Sequence, residues 1–271
     1  MPIITIFGGT FGDDEELARN VATKLDCQFV SREIFVAASQ RCDVPEAKLN
    51  DIVEKQPHWW ERWHENLGRY RIALEAAMSE AALAENLVYV GHVGHGLLPG
   101  IRHVVRVLLT APMEYRIEQV RQRQELDSKA ARRYIDHVEK AHTRRLMALF
   151  GSDWRDPAQY ALILNMAQMS SAAAENIIAH TAKLTDYQVT AESRQALGDL
   201  ALTAKIQARL LTHPTLRGLN VSVQAKQGEV TLAGLLPQSV SEYEVRHVVE
   251  GMPGVKNVMS DFVSLRSRAL R

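Results

Sequence analysis

The sequence predicts an α/β fold: a three-layer domain with a parallel sheet, followed by a small α+β domain. Two observations carry this prediction. Short apolar runs of strand length alternate with helical segments up to about residue 185, and nearly continuous apolar strands are typical of a parallel sheet covered on both faces. From about residue 190 the pattern changes to one amphipathic helix followed by a hairpin. We therefore place the domains at residues 1–187 and 195–267.

The first domain alternates strands with helices in order. Helical periodicity is clearest in the segment that ends at Leu25, where Leu17 and Val21 share one face with it. The predicted strands span residues 3–7, 27–30, 87–90, 104–109 and 160–165, and the predicted helices span 13–25, 34–41, 46–54, 59–83, 115–124, 128–150 and 170–184.

The second domain contains a hairpin. Residues 220–225 alternate like a half-buried strand, Lys226-Gln227-Gly228 forms a turn, and residues 229–235 return. A helix over 197–211 precedes the hairpin, and a helix over 239–250 and a strand over 255–265 follow it. The segment 185–190 between the domains is polar, as expected of a linker.

Composition excludes several classes of protein. The 271 residues include 32 basic and 32 acidic side chains, so bulk attraction to nucleic acid is not expected. No apolar run has the length of a membrane span, and the first six residues lack the pattern of a secretory signal. Two cysteines without CxxC spacing make no disulfide framework. We predict a cytoplasmic protein.

An ordered set of motifs in the first domain resembles one kinase family. Its members here are Arg32-Glu33-Ile34, Val88-Tyr89-Val90-Gly91, Val107 to Pro112, Tyr115 to Glu118, Gly151-Ser152-Asp153-Trp154, Asp156-Pro157 and Tyr160 to Asn165. Together they resemble the cytidylate-kinase-like branch of the nucleoside monophosphate kinases over about residues 3–180. The resemblance implies a P-loop-kinase-like fold that uses ATP and Mg²⁺ to phosphorylate CMP or a related nucleotide.

Two short motifs in the second domain resemble the BON module (bacterial OsmY and nodulation domain). They are Gly228 to Gly234 and Met252 to Val258, within a match over about residues 197–265. BON modules are associated with envelope proteins and with phospholipid or other ligands. The resemblance implies a binding or regulatory role, with a protein or a phospholipid as partner.

The kinase resemblance implies a set of phosphate-contacting residues. The nucleotide-binding candidates are Gly8, Gly9, Thr10, Gly12, His92, Arg116, Arg121, Arg123 and His142, and the catalytic candidates are Arg144 and Arg145. The basic residues of 116–145 alternate with acidic ones, so a solvated face with ion pairs is an equal alternative to a phosphate cleft.

The phosphate-binding loop departs from the family pattern. No Lys or Arg lies between Met1 and Ala18, and Gly12-Asp13-Asp14-Glu15 stands where the family shows Ser-Gly-Gly-Arg. A carboxylate about 5 Å from a phosphate charge would oppose it by about 3 kcal/mol at an effective dielectric of ~20. The alternative is that these acidic residues only stabilise the first turn of a helix.

Two arginine positions depart as well. His92 follows Gly91 where the family usually has arginine, and His142 takes the arginine position of an Asp-x-x-Arg pattern that starts at Glu139. A mostly neutral imidazole lacks the guanidinium fork. A shift of register to Arg144 or Arg145 would restore the lid arginine.

Histidines and tryptophans supply further candidates. His92, His95 and His103 lack the carboxylate or cysteine partners of a zinc site, so no metal is predicted. Three tryptophans lie close together in the sequence, at positions 59, 60 and 63. They pack in the core, form an exposed face for dimerisation or partner docking, or belong to a binding site for a changed ligand, and the sequence leaves these alternatives open.

Two functions remain open. The departures favour a kinase-like pseudoenzyme, non-catalytic or weakly active, that senses a ligand or binds partners. The alternative is an active nucleoside monophosphate kinase.

Overall fold

The computed structural model describes residues 3–9, 14–42, 47 and 64–264. Thr10, Gly12 and Asp13 of the predicted phosphate loop lie outside the described residues, as do Trp59, Trp60 and Trp63. The helix expected over 46–54 also falls outside them, apart from Ala47. No helix in the described ranges is long and apolar enough to cross a membrane.

The first domain contains a five-stranded parallel sheet, as predicted. Its strands are β1 (Ile3–Phe7), β2 (Gln28–Val30), β3 (Leu87–Val90), β4 (Val104–Thr110) and β5 (Leu162–Asn165), in the order β2-β3-β1-β4-β5. All five residues of β1 and all four of β3 are buried, because helices cover both faces of the sheet.

Helices form the two outer layers. The helices of this domain are α1 (Asp14–Leu25), α2 (Glu33–Cys42), α3 (His64–Leu83), α4 (Gly94–Leu97), α5 (Met113–Gln124), α6 (Ser128–Phe150) and α7 (Ser171–Thr181). On one face, α1 and α7 pack through Val21 and Ile178. On the other face, α2, α3 and α6 contribute Ile34, Leu74 and Leu149 to a separate core.

The second domain is a small mixed sheet with helices, which fits the predicted α+β unit. Strands β6 (Val221–Lys226) and β7 (Glu229–Leu236) form the antiparallel hairpin, and β8 (Asn257–Ser264) pairs with β7 in parallel. The hairpin turn places Gln227 and Gly228 at φ values of 55° and 87°, as a tight two-residue hairpin loop requires. Helices α8 (Ala191–Thr212) and α9 (Glu242–Glu250) share the core of this domain with the sheet.

Helix α8 belongs to two cores at once. Leu197 and Ala204 are buried in the core of the first domain, where α8 packs along α3. Ile206 and Leu210 are buried in the core of the second domain. The helix begins at residue 191, six residues before the first predicted position, because Thr190 caps it with a 3.1 Å hydrogen bond from the Ser193 N–H.

Candidate functional site

The candidate site lies at the carboxyl edge of the parallel sheet. Strands β1 and β3 are neighbours, so Gly8 and Gly9 after β1 come beside Gly91 and His92 after β3. The Gly91 N–H donates a 3.0 Å hydrogen bond to the Ile6 carbonyl, which holds the two strand ends together. Three of the predicted nucleotide-binding residues are therefore adjacent through the topology alone.

The carboxylate of Asp14 fills the space next to Gly8. A Cβ atom added at Gly8 would lie 2.0 Å from Asp14 Oδ2, so only a glycine fits there. Asp14 is the first residue of α1, and the backbone N–H groups of Asp14 and Glu15 act on its carboxylate and lower its pKa. These are the amides that a helix N-terminus offers to an anion. The chain thus places its own carboxylate at the anion-binding end of α1.

The environment of Asp14 raises the pKa of its carboxyl above the ordinary value. Burial is the largest cause, the neighbouring Glu15 also raises the pKa, and the backbone N–H groups of Asp14 and Glu15 and the charge of Arg123 lower it only in part. Arg123, a predicted nucleotide-binding residue at the exposed end of α5, acts on Asp14 through its charge.

Glu15 takes a different direction from Asp14. Its Oε1 lies 2.7 Å from Arg19 Nη2, and both side chains are more than half exposed. Glu15 therefore matches the alternative interpretation, in which an acidic residue of the first turn is solvated and paired along the helix. The electrostatic opposition to phosphate that we expected from this loop rests, among the described residues, on Asp14.

The remaining arginine candidates separate into three environments. Arg116 forms an ion pair with Glu139 between α5 and α6, and Arg121 lies 2.8 Å from Glu118 on the exposed surface of α5. Arg144 is exposed, whereas Arg145 is 6% exposed. Arg145 is the member of this pair that the fold brings to the site, because its charge acts on His92 and His142.

A histidine cluster surrounds the ring of Phe7 at the end of β1. We use this name for His92, His95 and His142, whose ring centroids lie 5.4, 5.8 and 6.3 Å from that of Phe7. Trp154 stacks on Phe7 with a centroid distance of 4.9 Å, and the His92 and His142 rings are 4.1 Å apart. The positions that resemble arginine sites of the family are thus joined in one aromatic packing unit.

Burial keeps the histidine cluster neutral. Burial, with the charge of Arg145, lowers the pKa of His92 to about 4. Burial, the neighbouring His92 and Arg145 lower the pKa of His142 to about 2. Burial and the charge of Arg106 lower the pKa of His95 to about 4. At neutral pH these imidazoles carry no charge that would bind a phosphate.

The histidines form no metal centre within the described ranges, where no group of three or more His, Cys, Asp or Glu could hold an ion. His95 lies in the short helix α4 rather than in a loop, and His103 is fully buried. The ring nitrogens of both residues have no hydrogen-bond partner among the described residues. They are core histidines.

Phe7 and Trp154 are the site residues that sequence reasoning missed. Phe7 is the last residue of β1 and Trp154 belongs to a quoted motif, but their contact joins positions 147 residues apart. The indole N–H of Trp154 donates a 3.0 Å hydrogen bond to Thr143 Oγ1, which fixes the ring against Phe7. The Gly151-Ser152-Asp153-Trp154 motif is the signal that marked this segment.

Comparisons with known proteins agree with both parts of the chain. Residues 3–168 match the model of the cytidylate kinase-like family, and residues 198–266 match that of the BON domain. A cytidylate kinase from Ignicoccus hospitalis is 25% identical over 170 residues, which cover 62% of this chain and 92% of that protein. A cytidylate kinase from Staphylothermus marinus is 25% identical over 181 residues, covering 66% of this chain and 94% of that protein.

The second domain and the fold have matches of their own. Osmotically-inducible protein Y of Escherichia coli is 34% identical over 70 residues, which cover 26% of this chain and 34% of that protein. A crystal structure of an uncharacterized protein from Eubacterium ventriosum aligns with a TM-score of 0.51 and 16% identity, covering 67% of this chain and 98% of that one. At this identity the structural match supports the fold alone.

Proposed function

Since the chain belongs to the cytidylate kinase-like family and carries a BON domain, we propose that it is a non-catalytic or weakly active member that senses a ligand or binds a partner. The observation that carries the proposal is the Asp14 carboxylate, which lies at the start of α1 and fills the space beside Gly8. A nucleotide phosphate would have to displace it.

The histidine cluster supports the same proposal. Phosphoryl transfer depends on positioned positive charge around the phosphates. His92 and His142 are neutral at physiological pH and pack against Phe7, so they supply none of it. The residues that remain for phosphate contact are Arg123 near Asp14 and Arg145 beside the two histidines.

The same proposal assigns parts of the chain to roles. Residues 1–187 form the kinase-like domain and 195–267 the BON domain, with a protein or a phospholipid as the BON partner. The proposed partners include further copies of the same chain but not nucleic acid. The proposed compartment is the cytoplasm. ATP and Mg²⁺ are cofactors only for the alternative function, an active kinase that phosphorylates CMP or a related nucleotide. The charge of Arg123 on Asp14, the buried Arg145 beside His92 and His142, and the family itself favour that alternative.

The experiment compares the wild type with Asp14→Gly. We expect weak or absent binding of CMP and ATP·Mg²⁺ to the wild type by titration calorimetry. Removing a carboxylate about 5 Å from a phosphate is worth about 3 kcal/mol at an effective dielectric of ~20, and solvent screening reduces this to a gain of roughly ten-fold or more in affinity. Glu15→Gln is the matched control, because its carboxylate faces Arg19 and solvent.

Two results would contradict the proposal. Formation of CDP from CMP and ATP·Mg²⁺ by the wild type, at a rate typical of a kinase, establishes the alternative. Equal nucleotide affinity of the wild type, Asp14→Gly and Glu15→Gln removes the role of Asp14 at the phosphate position.

A further inference from the structure

A cavity lies at the junction of the two domains, away from the carboxyl edge of the sheet. We call it the junction cleft: a space of about 710 Å³ between helix α3, helix α8 and two loops of the second domain, the Gln227-Gly228 turn and Met252-Pro253-Gly254. Its volume is within the range of pockets that bind small organic molecules. It shares no lining residue with the Asp14 position or the histidine cluster.

One stripe of α8 forms the floor of the junction cleft. Residues 195, 198, 202, 205, 209 and 212 line it at intervals of three and four, which is one face of a helix. The two other faces of α8 are buried in the two domain cores. The floor is therefore held rigidly, because α8 can neither rotate nor shift without disturbing both cores.

The BON motifs form the wall opposite α3. The Gln227 N–H donates a 2.7 Å hydrogen bond to Asp199 Oδ1, which ties the hairpin turn to α8. The Lys256 N–H donates a 2.8 Å hydrogen bond to the Gly228 carbonyl. A Cβ atom at Gly228 would lie 2.9 Å from the Gly254 carbonyl oxygen, so the two glycine motifs touch at this wall. Both recognised motifs of the second domain thus meet at the cleft.

The charges around the cleft are unbalanced. Its two carboxylates are already engaged: Glu80 pairs with Arg41, and Asp199 accepts from Gln227 and from Gln195. Its other three cations are Lys205, Arg209 and Lys256. Within the described residues, no ion pair or hydrogen bond joins these three side chains to an acceptor.

Apolar side chains line the same cleft as these cations. They include Leu83 of α3, Leu202 of α8 and Met252 of the second loop. Leu83 is 48% exposed, which is unusual for a leucine beside a core and leaves apolar surface open to a ligand. An anion alone would leave this surface uncovered, and an uncharged apolar molecule would leave the three cations without a counterion.

We propose that the junction cleft binds an organic anion with an apolar body, such as an aryl or alkyl phosphate, sulfonate or carboxylate. Its charged group lies between Lys205, Arg209 and Lys256, and its apolar body covers Leu83 and Leu202. Such a ligand touches both domains. Its site is independent of the kinase-like site, so the proposal stands or fails separately from the loss of phosphoryl transfer.

The experiment uses two fluorescent probes that differ in charge: 8-anilinonaphthalene-1-sulfonate, an organic anion, and N-phenyl-1-naphthylamine, its uncharged counterpart. We expect the full chain to bind one molecule of the anion with micromolar affinity, and the uncharged probe at least ten-fold more weakly. Lys205→Gln with Arg209→Gln should weaken the anion at least ten-fold and change the affinity for the uncharged probe less than two-fold. The control pair, Arg217→Gln with Lys226→Gln, removes the same charge from exposed positions outside the cleft.

A steric variant tests the position of the ligand. A Cβ atom at Gly198 meets no atom within 4 Å, so Gly198→Phe should fill the cleft without disturbing the fold. We expect it to abolish binding of the anionic probe while the melting temperature stays at or above that of the wild type. Gly198→Ala, which leaves the cleft open, should keep the binding.

The proposal is overturned if Lys205→Gln with Arg209→Gln binds the anion as well as the control pair does, or if a folded Gly198→Phe still binds it. Sedimentation with phosphatidylglycerol vesicles separates a free ligand from a lipid surface. Vesicle binding without binding of the monomeric probe would also overturn the proposal, because the charged surface rather than the cleft would then be recognised.

Discussion

The buried imidazole of His95 makes the stability of the protein depend on pH. His95 is 6% exposed, between the rings of Phe7, Phe150 and Tyr160, and both of its ring nitrogens lack hydrogen-bond partners among the described residues. Burial and the charge of Arg106 lower its pKa to about 4, against 6.5 in an unfolded chain. As pH falls from 6.5 to 4, the unfolded chain takes up a proton that the folded chain does not bind, and stability is lost.

The size of this effect follows from the two pKa values. A pH of 5 lies about 1.5 units below the pKa of the imidazole in the unfolded chain. Each unit corresponds to about 1.36 kcal/mol, so the protonation of His95 in the unfolded chain lowers the free energy of unfolding by about 2 kcal/mol between pH 7 and pH 5. His95→Leu removes this titration. At pH 7 we expect the variant to be about as stable as the wild type or slightly more stable, because two unpaired buried nitrogens are lost.

Urea unfolding of both proteins at pH 7, 6 and 5 measures the difference. The free energy of unfolding of His95→Leu should fall by about 2 kcal/mol less than that of the wild type between pH 7 and pH 5. His180→Gln, which changes an exposed histidine of α7, should follow the wild type. An equal fall for His95→Leu and the wild type, within about 0.5 kcal/mol, would refute the reasoning that burial keeps His95 neutral.

Three further changes test other parts of the fold by urea unfolding. Gly228→Ala should cost about 1–3 kcal/mol, because φ is 87° and the Gly254 carbonyl is too close for a side chain. Lys24→Met should cost about 1 kcal/mol at pH 7, because it breaks a 2.7 Å ion pair of the nearly buried Glu175 while Lys24 is partly solvated. Burial raises the pKa of Glu175 but the hydrogen bonds from Lys24 and Asn20 lower it further, so this cost should fade as the pH drops below 4.5. Trp154→Phe should cost about 1 kcal/mol, because the 3.0 Å hydrogen bond of the indole is lost.

The strands of the first domain could be predicted because their burial leaves a direct trace in the sequence. Strand β4 was expected over 104–109 and spans Val104–Thr110, since a strand buried on both faces must be apolar at nearly every position. Helix α8 was placed too late, at residue 197 instead of 191. Its first turn carries polar capping residues, and a polar linker has the same composition. Only the reciprocal hydrogen bonds between Thr190 and Ser193 in the structure distinguish the two.

The candidate site could be predicted only in part. Neighbouring parallel strands bring their following loops together, so Gly8 and His92 meet because β1 pairs with β3, and the sequence named both residues as candidates without predicting that pairing. The packing of Trp154 on Phe7 depends on how α6 and the segment after it turn back over the sheet, which local periodicity does not determine. The sequence also left two roles open for the acidic residues of α1, and the side-chain directions of Asp14 and Glu15 separate them.

The shared position of helix α8 has a consequence for the synthesis of the protein on the ribosome. Domains fold as units from the N-terminus while the chain emerges. Here Leu197 and Ala204 complete the core against α3, so the kinase-like domain cannot close that side before residue 204 has left the exit tunnel. The same helix then presents Ile206 and Leu210 as the surface on which the later strands assemble. During translation, α8 is therefore the last helix to pack into the core of the first domain and the first element of the core of the second domain.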